Sequence, residues 1–292
     1  RRLIKLPDKR KFKYKLWLDP VKESNDFPSK YNFILLDDLE KVKEVLSFNS
    51  PIMAFDTETT GLNHENIFMV GYSFCLDGKN TYYVPVKHCK YDENDKEIDG
   101  ESVGLGEEAI RLIYEKMCNT KIVYMFNMRY DVRVMEWHGF KEIIDSLKNA
   151  NYSDEQKQAI KDRLLAKPFI KYDMSKVNIL DVQAMVYLVD TNNKYPSLKK
   201  SEQYFLGWKG DSFEETVGTN NNFYYLKPED AYFYASTDAL GTYLLGLKMM
   251  PFLKAAKQSG ILDTQCLMPL TRFENEMTKI DVDKLKDYSK DL

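Results

Sequence analysis

The sequence has little of what soft-metal or disulfide chemistry requires. Its four cysteines (Cys75, Cys89, Cys118, Cys266) lie far apart, and only three histidines (His64, His88, His138) accompany them in 292 residues. No CxxC or Cys/His pairing has zinc spacing, which leaves free thiols in a reducing compartment as the expectation. No run of about 18 consecutive apolar residues is present, so neither a transmembrane helix nor a membrane partner is expected. Neither GxGxxG nor a P-loop occurs, which counts against dinucleotide and nucleoside triphosphate enzymes. Internal repeats and low-complexity tracts are also missing. The opening RRLIKLPDKRKFKYKLWL lacks the apolar run and cleavage site of a secretory signal. It lacks an initiator Met as well, so a fragment or a processed product is expected.

Positive charge is scarce overall: the net charge is −3, with a pI near 5.8. That is not the global signature of a nucleic-acid binder. The distribution is uneven, however. Residues 1–15 hold eight basic side chains against Asp8 alone, a local +7 that reads most simply as a solvated terminus. The remainder then carries −10, part of which an acidic metal site would explain.

What is present supports a sizeable packed core, with 43% hydrophobic residues and 13% aromatics. FILL (33–36) reads as a short strand and DDLEKVKEVLSF as an amphipathic helix. Three β-rich runs follow with short polar gaps: PIMAFDT (51–57), IFMVGYSFCL (67–76) and TYYVPVKH (81–88), as in a meander of hairpins. KYDENDKEIDGES reads as a charged loop leading to a helix near 106–118. KIVYMF (121–126) and VNIL (177–180) read as strands, each followed by a helix. Residues 141–170 have helical periodicity and read as an inserted helical pair. From Pro228 one long helix is expected, with Glu229 and Asp230 in its first turn. The pattern predicts an α/β fold: a mixed central sheet with three antiparallel strands and flanking helices.

Three acidic motifs stand out. In FDTETTGL (55–62), Asp56 and Glu58 are two apart on a strand and share a face. Two carboxylates side by side repel, and one protonates unless a cation lies between them; hard divalent ions prefer such oxygen ligands. The apolar PIMAF before them argues for a central strand and against an acidic turn on an edge. In NMRYD (127–131), Asn127 ends a strand and Asp131 is expected to enter the site from a neighbouring strand, at the sheet end where α/β proteins bind ligands. Alone, such an Asn and Asp more often cap a helix. In YASTD (234–238), Tyr234 and Asp238 are four apart on the long helix and share a face. A mid-helix Asp among apolar neighbours is costly to bury without a cation or donor.

In this order the motifs resemble the DEDD exonucleases, specifically the proofreading domain of family A (Pol I-like) DNA polymerases. The resemblance covers roughly 30–260 and implies an RNase H-like fold. It also implies two divalent metal ions, Mg²⁺ or Mn²⁺, held by Asp56, Glu58, Asp131 and Asp238. Tyr four residues before the last Asp marks the Tyr-type subfamily, so Tyr234 joins the catalytic set and would orient the attacking water. NILDVQAMVYLVD and YPSLKKSEQYFLG are similar to the family's Asp-led helix and its successor. DSFEETVG (211–218) is similar to a segment whose Phe stacks on the terminal base, pointing to Phe213. Leu62 resembles the family's wedge, and Thr59, Asn127 and Tyr130 match substrate-strand positions. The implied partner is DNA with a single-stranded or frayed 3′ end, together with a polymerase domain or subunit. The implied location is the cytoplasm or wherever replication occurs.

The resemblance divides the chain into a basic extension (1–29), the exonuclease domain (30–260, with the insert near 141–170) and a truncated polymerase-like start (261–292). The stretch from Asp131 to Asp181 is longer than the family pattern, consistent with that insert. Polymerase catalytic motifs are missing, so no synthesis is expected from this chain alone. Two other readings remain open on the sequence: an RNase D-like enzyme trimming RNA, and a degenerate, non-catalytic DNA-binding module.

Overall fold

The computed structural model describes residues 21–24, 27–63, 67–149, 151–166, 169–189, 197–218, 222–256 and 266–273. Most of the basic extension and the end of the polymerase-like stretch lie outside these residues. Six strands form the main sheet: β1 (Asn32–Leu35), β2 (Ile52–Thr59), β3 (Met69–Cys75), β4 (Asn80–Pro85), β7 (Ile122–Met125) and β8 (Ile179–Asp181). Their spatial order is β1-β4-β3-β2-β7-β8. β2, β3 and β4 form the expected antiparallel meander. β1, β7 and β8 pair in parallel with their neighbours.

Strand alternation sends successive side chains to opposite faces, and each face has its own core. Met53, Phe55, Val123 and Met125 pack with α1 (Leu39–Leu46), α2 (Gly106–Cys118) and α3 (Met128–Glu136). Asp38 starts α1 by accepting from the amides of Glu40 and Lys41, relieving two of the amides a helix start leaves unpaired. On the other face Ala54 and Tyr124 pack with α6 (Val182–Val189), α7 (Leu198–Leu206) and α9 (Pro228–Ala256). Asp56 and Glu58 continue the register of Ala54, so they point toward α9.

The expected helical pair is present as α4 (Phe140–Asn149) and α5 (Asp154–Ala166). A short α8 (Phe213–Val217) opens with a capping box between Ser212 and Glu215. One expectation fails: KYDENDKEIDGES is not a loop. It forms most of a two-stranded hairpin, β5 (His88–Tyr91) with β6 (Glu97–Val103). β6 is almost wholly exposed, so neither face gave it the apolar alternation by which strands are recognised.

A helix over 266–273, within the stretch expected to begin a polymerase-like region, lies on the α3 side. Leu267 and Met268 pack against that core. Arg272 donates to Glu136 and Asp173, each at 2.7 Å, compensating the buried Glu136 carboxylate.

Helix α9 crosses the sheet closely because Gly246 abuts Tyr124: a Cβ there would sit 2.5 Å from the buried ring. Helix propensity alone favours Gly246→Ala by about 1 kcal/mol, whereas overpacking costs about 1–3 kcal/mol. The expected outcome is net destabilisation in denaturant unfolding. A stabilised variant would show that α9 is not seated this tightly.

Candidate metal centre

β2 is bonded on both sides, but its pairing with β7 ends at Ala54–Tyr124, whereas its pairing with β3 continues past Glu58. The strand therefore extends beyond β7, and the chain leaving β7 turns into α3 beside it. Asn127 makes the turn in the left-handed region (φ 62°), which Asn tolerates better than most residues. Asp181, at the end of β8, accepts from the amides of Asn127 at 3.2 Å and Met128 at 3.0 Å. It also accepts from Gln183 at 2.8 Å and Ala184 at 3.3 Å. One buried carboxyl thus caps the starts of both α3 and α6.

That cap sets the position of Asp131, which lies in the first turn of α3. Asp131 therefore enters the site from the helix that follows β7 and not from the strand end itself. Its Oδ1 accepts from the Thr57 amide at 3.0 Å and the Thr57 hydroxyl at 2.6 Å. A helix side chain thereby serves the strand residue where β7 has already ended.

Asp56, Glu58 and Asp238 each offer a carboxylate oxygen, and these oxygens all lie within 4.8 Å of one another. Glu58 is buried, while Asp56 and Asp238 are partly open. Asp131 lies outside this close trio, yet it is the carboxylate whose charge acts most strongly on Asp56. Burial, then Asp131, Asp238 and Glu58, push the Asp56 carboxyl well above its ordinary range. Burial and then Asp238 do the same to Glu58. Burial also raises Asp131 to about 7 against the opposing hydrogen bonds from Thr57. Hard oxygen donors held together at this cost in repulsion fit divalent metal ions.

A cation that sequence reading missed lies among them. Lys199 of α7 donates to Asp238 Oδ1 and lies 4.9 Å from the centre of the Tyr234 ring. Burial opposes its charge, but Asp238 and Glu202 more than offset this and hold its pKa up. Tyr234 shares the site's edge; burial, then the Asp238 and Glu58 charges, push its phenol far above 10. The only available signal for Lys199 was YPSLKKSEQYF, where nothing distinguishes a buried lysine from a solvated one.

The expected substrate positions are arranged less uniformly. The hydroxyls of Thr59 and Tyr130 both reach the Gly61 carbonyl, at 2.8 and 2.6 Å, and pin the loop that follows β2. Leu62 on that loop is 87% exposed. Phe213 and Tyr234 are half-buried against one aromatic cluster that includes Phe223. The side chain of Asn127 makes no capping bond.

No family model matches the sequence. Among solved structures the chain is similar to the apo form of a nuclease at 12% identity, covering 86% of this chain and 98% of that one with a TM-score of 0.52. It is also similar to Escherichia coli RNase D, an exoribonuclease involved in structured RNA processing (11% identity, 85% and 52% coverage, TM-score 0.49). A third similarity is to Brucella melitensis NrnC with bound Mg²⁺ (14% identity, 83% and 90% coverage, TM-score 0.45). At this distance the first likeness carries the fold, and the RNase H-like α/β expectation is borne out.

The raised Asp131 carboxyl has a signed consequence. An unfolded Asp titrates near about 4, so between there and about 7 the folded protein holds the extra proton. This contribution to stability is complete below the unfolded value and is lost as pH rises through about 7. Metal ions require the deprotonated ligands. The rise in Tm on replacing EDTA with excess Mn²⁺ is therefore expected to grow from about pH 5 to about pH 8. A rise that is larger at the lower pH would contradict the assignment.

Proposed function

We propose that this chain is a metal-dependent 3′→5′ exonuclease that removes nucleoside 5′-monophosphates from the 3′ end of DNA. The observation that carries this reading is the meeting of Asp56, Glu58 and Asp238 oxygens within 4.8 Å, with Asp131 beside them on α3. Substrate choice rests on the resemblance of FDTETTGL, DSFEETVG and YASTD to Pol I-like proofreading domains. RNA trimming is the alternative within the same chemistry.

In this mechanism Asp56, Glu58 and Asp238 bind the metal ions, and Asp131 completes the acidic set from the α3 side. When bound, such ions activate water and stabilise charge at a phosphodiester. Tyr234 is a protonated phenol at neutral pH: an ordinary tyrosine titrates at about 10, and burial pushes this one higher. It therefore serves as a donor and orients the attacking water through Oη rather than taking up its proton. Thr59 and Tyr130 hold the loop that presents Leu62. Leu62 and Phe213 supply apolar surface against the terminal bases, a kind of contact that tolerates any sequence. Asn127 and Tyr130 are assigned to the substrate strand on the resemblance alone.

5′-Labelled single-stranded DNA with Mg²⁺ is expected to give a ladder shortening from the 3′ end, abolished by EDTA and by Asp56→Ala. Faster shortening of matched RNA would move the reading to an RNA exonuclease. Cleavage retained by Asp56→Ala would overturn the metal assignment, and cleavage of neither polymer would favour a binding module. Tyr234→Phe is expected to lower turnover by about 10²-fold, the scale for losing a contact that positions a reactant, with DNA affinity retained. Unchanged turnover would remove Tyr234 from the mechanism.

A further inference from the structure

Next to the acidic trio is a carboxylate that the proposed reaction leaves unused. Glu202 of α7 is fully buried, and neither Oε1 nor Oε2 accepts a hydrogen bond. Among the described residues its ion-pair partner is Lys199, with Nζ 3.7 Å from Oε2. A buried carboxylate in this state is expensive to maintain, so its position calls for a compensating role.

The position is also a built one. Glu202 lies against Gly241 of α9, where an added Cβ would fall 1.7 Å from Oε1 and 2.7 Å from the carboxyl carbon. Glycine in a helix interior is unfavourable relative to alanine, yet here it opens the space that Glu202 fills. Gly241 is three residues after Asp238, so the two lie on one side of α9. The Lys199 ammonium stands between two carboxylates: it donates to Asp238 and lies within ion-pair distance of Glu202. The Tyr234 ring, 4.9 Å away, and the Trp208 ring, 5.6 Å away, offer π faces to it.

We propose that Lys199 and Glu202 form a charge-exchange pair serving the metal centre, an inference that rests on the metal-site reading above. Lys199 competes with a divalent cation for Asp238. When the cation takes Asp238, the ammonium moves onto Glu202, which removes it from a repulsive position without passing through solvent. In both states the Lys199 ammonium then has a carboxylate partner, and the binding of the two cations to Asp238 is linked with opposite sign. Lys199 and Glu202 are positioning residues in this scheme; neither touches the reacting phosphate.

The test is Mn²⁺ affinity measured by isothermal titration calorimetry and by the electron paramagnetic resonance signal of free Mn²⁺, without nucleic acid. Lys199→Met is expected to tighten Mn²⁺ binding about tenfold by removing the competitor. Glu202→Gln is expected to weaken it about tenfold by removing the seat, and this loss should shrink to about threefold or less in the Lys199→Met background. Gly241→Ala, which crowds the seat without altering charge, should weaken binding in the same direction and serves if Glu202→Gln fails to fold. Equal losses for Glu202→Gln with and without Lys199, or no change in either single variant, would overturn the pair while leaving the metal site standing. Asp238→Asn separates the two claims: if it binds Mn²⁺ as the unaltered protein does, or if neither binds, the metal site itself fails and the pair with it.

Discussion

Mutual repulsion among carboxylates held in a partly dry site is the constraint on which the arrangement depends. Asp56, Glu58 and Asp238 lie too close together, and Asp131 too near them, for all to be charged without a cation. Each is nonetheless fixed by elements that have no freedom to separate. Asp56 and Glu58 belong to a central strand, Asp238 to a long helix packed across it, and Asp131 to a helix whose start is capped from a third element. The scaffold supplies the electrostatic strain, and divalent cations are what relieve it.

The sheet topology makes that convergence possible. β2 outruns β7, so Asp131 approaches from the side of the strand that β7 has vacated. Pleating directs Asp56 and Glu58 toward α9, and the glycines of α9 allow the helix to come close. Asp181 links the two halves: one carboxyl holds the first amides of α3 and α6 and so sets the angle at which Asp131 arrives. This role is carried by four backbone amides at the starts of two helices, and disrupting it would displace Asp131 without altering it.

Much of this was legible in the sequence because strand and helix periodicities are local. The two-residue spacing of Asp56 and Glu58 placed them on one face, and the four-residue spacing of Tyr234 and Asp238 did so on α9. For Asp131 the strand KIVYMF and the helix after it were legible, but the point of entry was not: a strand end and a helix start are adjacent in NMRYD, and the left-handed turn at Asn127 shows only in the structure. The β5–β6 turn and β6 were read as a loop because their residues are charged and almost all exposed, whereas β5 opens on the buried His88 and Cys89. Lys199 and Glu202 were invisible for the opposite reason. Their type predicts a solvated helix face, and only tertiary packing against Gly241 and Asp238 shows that they are inside.

The most direct test of the central claim is the anomalous scattering of Mn²⁺ in crystals of the protein grown or soaked with the ion. The account predicts anomalous peaks within ligand distance of Asp56, Glu58 and Asp238, about 2.0–2.4 Å for oxygen donors to hard divalent ions. Mn²⁺ bound elsewhere, with the three carboxylates still held together by Lys199 alone, would contradict it.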